Sequence, residues 1–493
     1  MELDELRKEI DETDAELVRL FVRRMALSGK VADYKRGRGL PVTDAAREEE
    51  KLKAVRALAG EEFGDYAAGL YREVFRLSRG LQTARNGVFG LLGGKLGHSY
   101  SPELHRLFGG YDYALFERAP EELEAFLREA PFDGINVTIP YKKAVIPYCG
   151  ELSENAARIG SVNTVVKLPD GRLRGDNTDY CGFAYLVKSL GVDVRGKKCV
   201  VLGDGGVAPT VRAVLSDGGA AEIVTVSRRG VDNYGNLPRH ADADVLVNTT
   251  PVGMYPDNGA AAVDLATFNR LSAVLDVVYN PNRTRLILDA ERLGIPCAGG
   301  LAMLAAQAKR ACELFTGRDI DEGKTCAVTG AIAFKMKNVA LIGLPGCGKT
   351  TTGQALAALT GREFRDMDTE LVKAAGMPIP DFFAQRGEAA FRALETEVLR
   401  EFSKRSGLVI ATGGGVVTRA ENRDLLRQNS TVVFLEREDV RALPKAGRPV
   451  SQVRPIEQLA AERLPLYRAW CDVTVRGVDP QTNAKNILEA VSA

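Results

Sequence analysis

Histidine is scarce in this chain, with three in 493 residues. That argues against a histidine-based metal centre. The eight cysteines are scattered and never form C-x-x-C. They read as reduced thiols of a cytoplasmic protein, with no zinc-site pattern. Formal net charge is +1, so composition gives no reason to expect nucleic acid or an anionic membrane as partner. No apolar run approaches the length of a membrane span. The first residues, MELDELRKEIDETD, are acidic and charged, unlike a secretion signal or transit peptide.

What is present is ordinary globular composition, 45% hydrophobic and 27% charged. The length corresponds to about three domains. Residues 1–82 hold one proline, many charges and apolar residues at helical spacing. Residues 87–316 alternate short β-type runs (VFGLLG, GINVTIP, KCVVLG, EIVTVS, DVLVNTT, AVLDVVY) with helical stretches, the pattern of α/β units. Residues 338–493 repeat it with NVALIG, LVIATGGG and TVVFLE. The stretches 83–87 and 318–337 fit no element well and read as linkers.

In the first helix a 3-4 seam runs Leu3, Leu6, Ile10, Thr13, Leu17, Leu20, Arg24, Leu27, Val31. Arg24 stands where an apolar residue is expected, and Lys35 shares its face three turns on. A second helix starts after GRGLPVTD with Asp44 as N-cap. A third carries Leu70, Val74, Leu77 and Leu81, with Ser78 and Gln82 beside them. Any one of these residues alone reads as a solvated helical surface. Together, LRKEID, VRRMALSGKVADYKRG, TDAAREEE and LSRGLQ resemble the all-helical chorismate mutase family. The resemblance places Arg7, Arg24, Lys35, Asp44, Arg47, Glu48, Ser78 and Gln82 at that family's active-site positions. It implies that Arg24 and Arg47 hold the carboxylates of chorismate, Lys35 and Gln82 the ether oxygen, and Glu48 the hydroxyl. Arg7 would reach into a second subunit, which implies a homodimer. Arginine suits a dicarboxylate because it binds bidentately. The rival reading is a regulatory or dimerising module.

KCVVLGDGGVAPTVRAVL, residues 198–215, is strand, glycine turn, helix. Gly203, Gly205 and Gly206 form a variant dinucleotide fingerprint that admits pyrophosphate at a helix N-terminus. The next strand ends in Ser227, Arg228 and Arg229, cations suited to a 2′-phosphate, so NADP is favoured over NAD. Upstream lie HSYSPELH, INVTIPYKK, IGSVNTVV and GDNTDYCGF, and downstream NTTPVGM, DVVYNP and GLAMLAAQA. In this order they resemble shikimate dehydrogenase over about 87–318. The resemblance implies a Lys142–Asp179 catalytic dyad and a shikimate pocket lined by Ser99, Ser101, Asn136, Thr138, Asn163 and Gln307. Two departures stand out. Ser-Arg-Arg replaces the family's usual Asn-Arg-Thr type, and Asp204 sits inside the glycine turn. The runner-up is an NAD-using quinate/shikimate dehydrogenase.

GLPGCGKTT, residues 343–351, matches the phosphate loop G-x-x-x-x-G-K-[ST] after a strand-like run. Its backbone N–H groups cradle phosphates and its lysine reaches the terminal ones. Nucleotide contacts are expected from Gly346, Gly348, Lys349, Thr350 and Thr351. FRDMDTEL, GEAAFRALE, IATGGGVV, AGRPVSQ and ERLPLYR follow. These spacings resemble shikimate kinase over 338–493. The resemblance implies Mg²⁺ on Thr350 and Asp366, with Asp368 engaging substrate hydroxyls. Arg392 and Arg463 would grip the shikimate carboxylate, and Gly413, Gly414 and Gly415 would close behind the ring. Lys349, and Arg448 from a lid, would stabilise the transferred phosphoryl group. The stretch from Leu435 to Arg448 is shorter than this family's usual lid.

The expected fold is therefore multidomain. An all-α helical domain (1–84) precedes a two-lobed α/β dehydrogenase (87–318: substrate lobe about 87–185, Rossmann NADP lobe about 186–290, then helices). An α/β P-loop kinase (338–493) follows. The expected substrates are chorismate, 3-dehydroshikimate and shikimate, with NADP(H), ATP and Mg²⁺. The product of the second activity is the substrate of the third.

Overall fold

The computed structural model describes residues 3–36, 38, 42, 44–97, 99–437, 439, 441, 455–477 and 479–492. The chain divides into two compact units, Met1–Tyr185 with Met303–Val328, and Leu186–Ala302 with Thr329–Ala493.

The first unit opens with helix Leu3–Arg36, followed by the helical run Ala45–Asn86. That run is two helices meeting at Gly60, whose φ 73°, ψ 179° is open essentially to glycine alone. Ion pairs Arg56–Asp65 (3.2 Å) and Glu48–Arg79 link the two halves, so the chain folds back on itself here. The three expected helices are thus present. The apolar seam of Leu3–Arg36 stays exposed, Leu3 at 62%, Ile10 at 59% and Leu17 at 53%.

A mixed six-stranded sheet follows, in the order Tyr113–Glu117, Phe89–Gly93, Gly134–Val137, Thr164–Lys167, Leu173–Asp176, Glu151–Leu152. Strand Thr164–Lys167 runs antiparallel to both neighbours. Its register sets Asn136 opposite Thr164, which brings two of the expected substrate-pocket segments side by side.

The second unit holds two five-stranded parallel sheets. The first is ordered Cys297–Ala298, Ala273–Asp276, Val245–Asn248, Lys198–Leu202, Glu222–Val226. The second is ordered Glu363–Asp366, Leu408–Ala411, Asn338–Ile342, Ser430–Glu436, Val473–Arg476. Strand Asn338–Ile342 is buried at every position, as a central parallel strand covered on both faces must be. In such sheets ligands bind beyond the carboxyl ends of the strands. Both glycine loops, 203–206 and 343–348, leave from those ends.

Two readings need correction. Residues 83–86 are not linker but the last turn of the helical run Ala45–Asn86. Much of the stretch 318–337 is not a linker: Glu322–Met336 is an α-helix that buries Val328, Ile332 and Met336. These lie at i, i+4 and i+8 on one face. Small residues between them hid the pattern. No described helix is long and apolar enough to cross a membrane.

Candidate functional site

In the helical segment the structure joins some expected residues and not others. Arg24 donates from Nη1 to Ser78 Oγ at 2.5 Å, and Ser28 Oγ lies 3.3 Å from the same hydroxyl. Ser78 and Gln82 are buried, and Gln82 Oε1 has no hydrogen-bond partner among the described residues. Asp44 caps its helix by accepting from Arg47 N at 3.1 Å. Glu48 is gripped by Arg79, a cation absent from the expected set. Lys35 Nζ donates to Val42 O at 2.7 Å. Arg7 and Arg47 stay out on the surface, pairing with Asp4 at 3.3 Å and Glu50 at 3.7 Å.

In the substrate lobe, Lys142 Nζ sits 2.6 Å from Asp179 Oδ2, with side-chain exposures of 20% and 4%. Asp179 lies in the first turn of helix Thr178–Ser189. That position favours a carboxylate. Asn163 anchors the turn before it: its Oδ1 accepts from Thr178 N at 2.7 Å, and its Nδ2 points to Gln307 Oε1 at 3.4 Å. Asn136 donates to Thr164 Oγ1 at 3.0 Å and accepts from Tyr113 OH at 2.7 Å. Tyr113 in turn stacks on buried His105, ring centroids 4.0 Å apart. Burial pushes His105 down to about 3, so its ring is neutral. Ser99 Oγ accepts from Ser101 N at 3.2 Å, an ST turn opening helix Ser101–Gly109. Thr138 N donates to Leu92 O at 2.9 Å at the end of strand Gly134–Val137.

In the glycine turn, Gly203 has φ +97°, and a Cβ there would stand 2.8 Å from Thr250 Cγ2. Only glycine fits. A Cβ on Gly205 or Gly206 would meet nothing within 4 Å. Helix Ala208–Asp217 begins directly after. Ser227 is buried, while Arg228, Arg229 and Asp204 are exposed. Burial raises the Tyr234 hydroxyl, with Arg228 opposing and Asp204 adding to the shift, so both charges act on this ring. Deep under the following loops, burial lifts Asp276 to about 6 although Val278 N, Thr284 and Asn248 all donate to it.

In the kinase segment, Gly346 and Gly348 take positive φ, and Gly348 caps helix Lys349–Thr360. Lys349 is buried and donates to Gly343 O at 2.9 Å and Leu344 O at 3.0 Å. Thr350 Oγ1 donates to Asp366 Oδ2 at 2.7 Å, while Thr351 turns to Gly348 O. Asp366 also caps its own helix through Asp368 N at 2.9 Å. Arg392 pairs with Glu395 at 2.8 Å. Arg463 Nη1 donates to Gly414 O at 3.0 Å, and the Tyr467 hydroxyl donates to the same oxygen. A Cβ on Gly413 would stand 2.5 Å from Glu395 Oε1, and one on Gly414 2.7 Å from Pro345 Cδ. One on Gly415 would strike the Arg392 guanidinium. Gly414 is therefore required by the rigid Pro345 ring, while a side chain at Gly413 or Gly415 would displace Glu395 or Arg392. Burial raises the Glu395 carboxyl and the Arg392 charge holds it back. Arg448 and most of the expected lid lie outside the described residues.

Sequence reasoning missed Arg79, Tyr113, Glu395 and Arg437. Glu395 had a signal, lying three residues after Arg392 on one helical face. Arg437, which donates to Cys347 O of the phosphate loop at 2.8 Å, had none.

Three family models match the chain. They are Chorismate mutase type II over residues 6–83, Shikimate dehydrogenase substrate binding domain over 91–165, and Shikimate kinase over 345–492. A shikimate dehydrogenase (NADP(+)) of Clostridium perfringens (strain SM101 / Type A) is 35% identical over 256 residues, covering 48% of this chain and 94% of that protein. The corresponding protein of Methanopyrus kandleri is 38% identical over 269 residues, covering 48% and 92%. Among solved structures, a chorismate mutase/shikimate 5-dehydrogenase fusion protein from Clostridium acetobutylicum is 34% identical. It covers 50% of this chain and 96% of its own, with a TM-score of 0.47. The chain belongs to the shikimate dehydrogenase family, and in one polypeptide it carries a chorismate mutase type II segment before that region and a shikimate kinase segment after it.

Proposed function

We propose that this chain is a trifunctional enzyme of aromatic biosynthesis: it rearranges chorismate to prephenate, reduces 3-dehydroshikimate to shikimate with NADPH, and phosphorylates shikimate with ATP. The observation that carries this reading is the 2.6 Å contact between Lys142 and Asp179, at the start of a helix and beside the asparagine pair. The domains would be 1–84, 87–318 and 338–493, in the cytoplasm.

For the reduction, the glycine turn and Arg228 fit a dinucleotide with a 2′-phosphate. NADPH, when bound, supplies the hydride. Lys142 gives its proton to the developing alkoxide, and the carboxylate of Asp179 keeps that ammonium charged and aimed. Asn136, Asn163, Gln307, Thr138, Ser99 and Ser101 orient the ring hydroxyls and carboxylate. Tyr113 holds the Asn136 amide in place.

For phosphoryl transfer, Lys349 leaves the loop carbonyls for the terminal phosphates of ATP, and Arg448 adds charge stabilisation. Thr350 and Asp366 offer the hard oxygen donors that Mg²⁺ prefers alongside nucleotide phosphates. Asp368 orients the attacking hydroxyl. Arg392 and Arg463 hold the carboxylate of shikimate.

For the rearrangement, Arg24, Lys35, Glu48 and Gln82 would hold the dianion in a reactive pose and stabilise charge on the breaking ether oxygen. The exposed apolar seam and the surface position of Arg7 support a homodimer in which Arg7 completes the partner's site. A second reading makes this segment a sensor of chorismate or prephenate. It is favoured by Lys35, whose ammonium is already bonded to Val42 O.

The deciding experiment measures three rates on the full chain: NADPH loss with 3-dehydroshikimate, ATP-dependent shikimate phosphorylation, and chorismate loss beside an Arg24→Ala control. Absence of the first rate would sink the dyad. Chorismate binding without turnover would make the helical segment a sensor.

A further inference from the structure

Within the second unit, helix Arg285–Arg292 of the coenzyme lobe packs on helix Glu421–Asn429 of the kinase segment. Glu291 uses both carboxylate oxygens there. Oε1 accepts from Arg283 Nε at 2.8 Å, and Oε2 from Arg427 Nη2 across the junction at 2.9 Å. Asp424 Oδ2 accepts from Arg285 Nη1 at 3.1 Å, also across the junction. Between these pairs lies Gln428, only 3% exposed. Its backbone carbonyl accepts from Arg283 N at 3.0 Å, and its Oε1 accepts from Asn258 Nδ2 at 3.1 Å.

An isolated exposed ion pair contributes little. These pairs differ in two ways. Glu291 and Arg427 keep only 25% and 24% of their side-chain surface exposed, which limits screening. The charges also alternate around a buried, directional backbone hydrogen bond. Separating the two segments would cost Gln428 both its cross-junction bonds and break two ion pairs at once. No step of the three reactions uses any of these residues.

We infer that the coenzyme lobe and the kinase segment form one cooperative body, joined by this charged seam, so that a ligand bound to one stabilises the other. The coupling follows from linkage. Whatever binds only the folded lobe also holds the kinase segment folded when the two open together.

The test rests on the NADP reading above and uses the full chain. Heat-inactivation midpoints of the reductase and kinase activities are measured with and without NADP⁺. They are compared between the parent and an isosteric double variant, Glu291→Gln with Asp424→Asn. NADP⁺ at about a hundred times its Kd should raise the kinase midpoint of the parent by roughly 5 °C. In the double variant the reductase midpoint should still rise and the kinase midpoint should not. A parent kinase midpoint that stays put while the reductase midpoint rises would overturn the proposal. So would a kinase shift that persists in the variant. If NADP⁺ moved neither midpoint, the NADP reading itself would fail, and hydrogen exchange would decide the seam. Amides of Arg285–Arg292 should exchange faster in Asp424→Asn, and unchanged exchange would refute it.

Discussion

In the kinase segment the groups expected to meet substrate are already seated. Arg392 is locked on Glu395, Arg463 on Gly414, and Lys349 on its own loop, all of them buried. In the helical segment Arg24, Lys35 and Glu48 are engaged too, by Ser78, Val42 O and Arg79, but these three side chains are only half-buried, and Arg7 and Arg47 sit at the surface. A site packed against a parallel sheet can be finished by one chain, because the sheet's core fixes every loop around it. The helices of this segment leave the apolar seam of Leu3–Arg36 uncovered. On the homodimer proposed above, a second copy would finish both the core and the site. The difference therefore teaches which activities should survive dilution to monomers and which should not.

The sharpest break would come in the dehydrogenase region, which sides with the kinase in this contrast. Lys142→Ala should lower ketone reduction by up to roughly ten-thousandfold, since the proposed general acid is lost, while phosphoryl transfer is unchanged. Steady-state rates of both activities on one preparation check this. Lys349→Ala should cut phosphoryl transfer by about a thousandfold, at any protein concentration. An effect that varied with dilution would break the comparison. Arg24→Ala and Arg7→Ala should each reduce chorismate turnover by roughly a hundredfold. Mixing the two inactive variants should restore about a quarter of the parent rate, because half the dimers are then hybrids with one intact site. No recovery on mixing would place Arg7 outside the site. The smallest effect belongs to Arg228→Ala, which should erode the preference for NADP over NAD by about tenfold. The ratio of kcat/KM for the two coenzymes reads it.

Much of the architecture was legible because the central strands are continuous apolar runs. NVALI, LVIA and KCVVL announce themselves in any window. Strand Tyr113–Glu117 did not, because it is an edge strand with little burial and no alternation. Helix Glu322–Met336 was hidden by its alanines and glycines. Among the candidate site residues, Lys349 was readable from the spacing of the phosphate loop, and Asp179 only from resemblance. Their partners were less so. Arg79 meets Glu48 across a helix reversal, and Arg437 meets Cys347 across 90 positions. The seam around Glu291 joins residues about 140 positions apart, and no local pattern encodes it.

Gly60 decides how far the helical segment can reach. A Cβ there would touch nothing within 4 Å, so no neighbour objects to a larger residue; only the backbone torsion does. With alanine at that point, the cheapest escape is to continue the helix. The run Ala45–Asn86, 42 residues, would then straighten into a rod about 63 Å long. Glu48 and Arg79 of one chain would lie at opposite ends of it, and each would find its complement only on another copy. A single methyl group would thereby exchange a hairpin for a swapped assembly. Small-angle scattering of Gly60→Ala should show the longer particle, and an unchanged profile would mean the reversal is held by something other than this glycine.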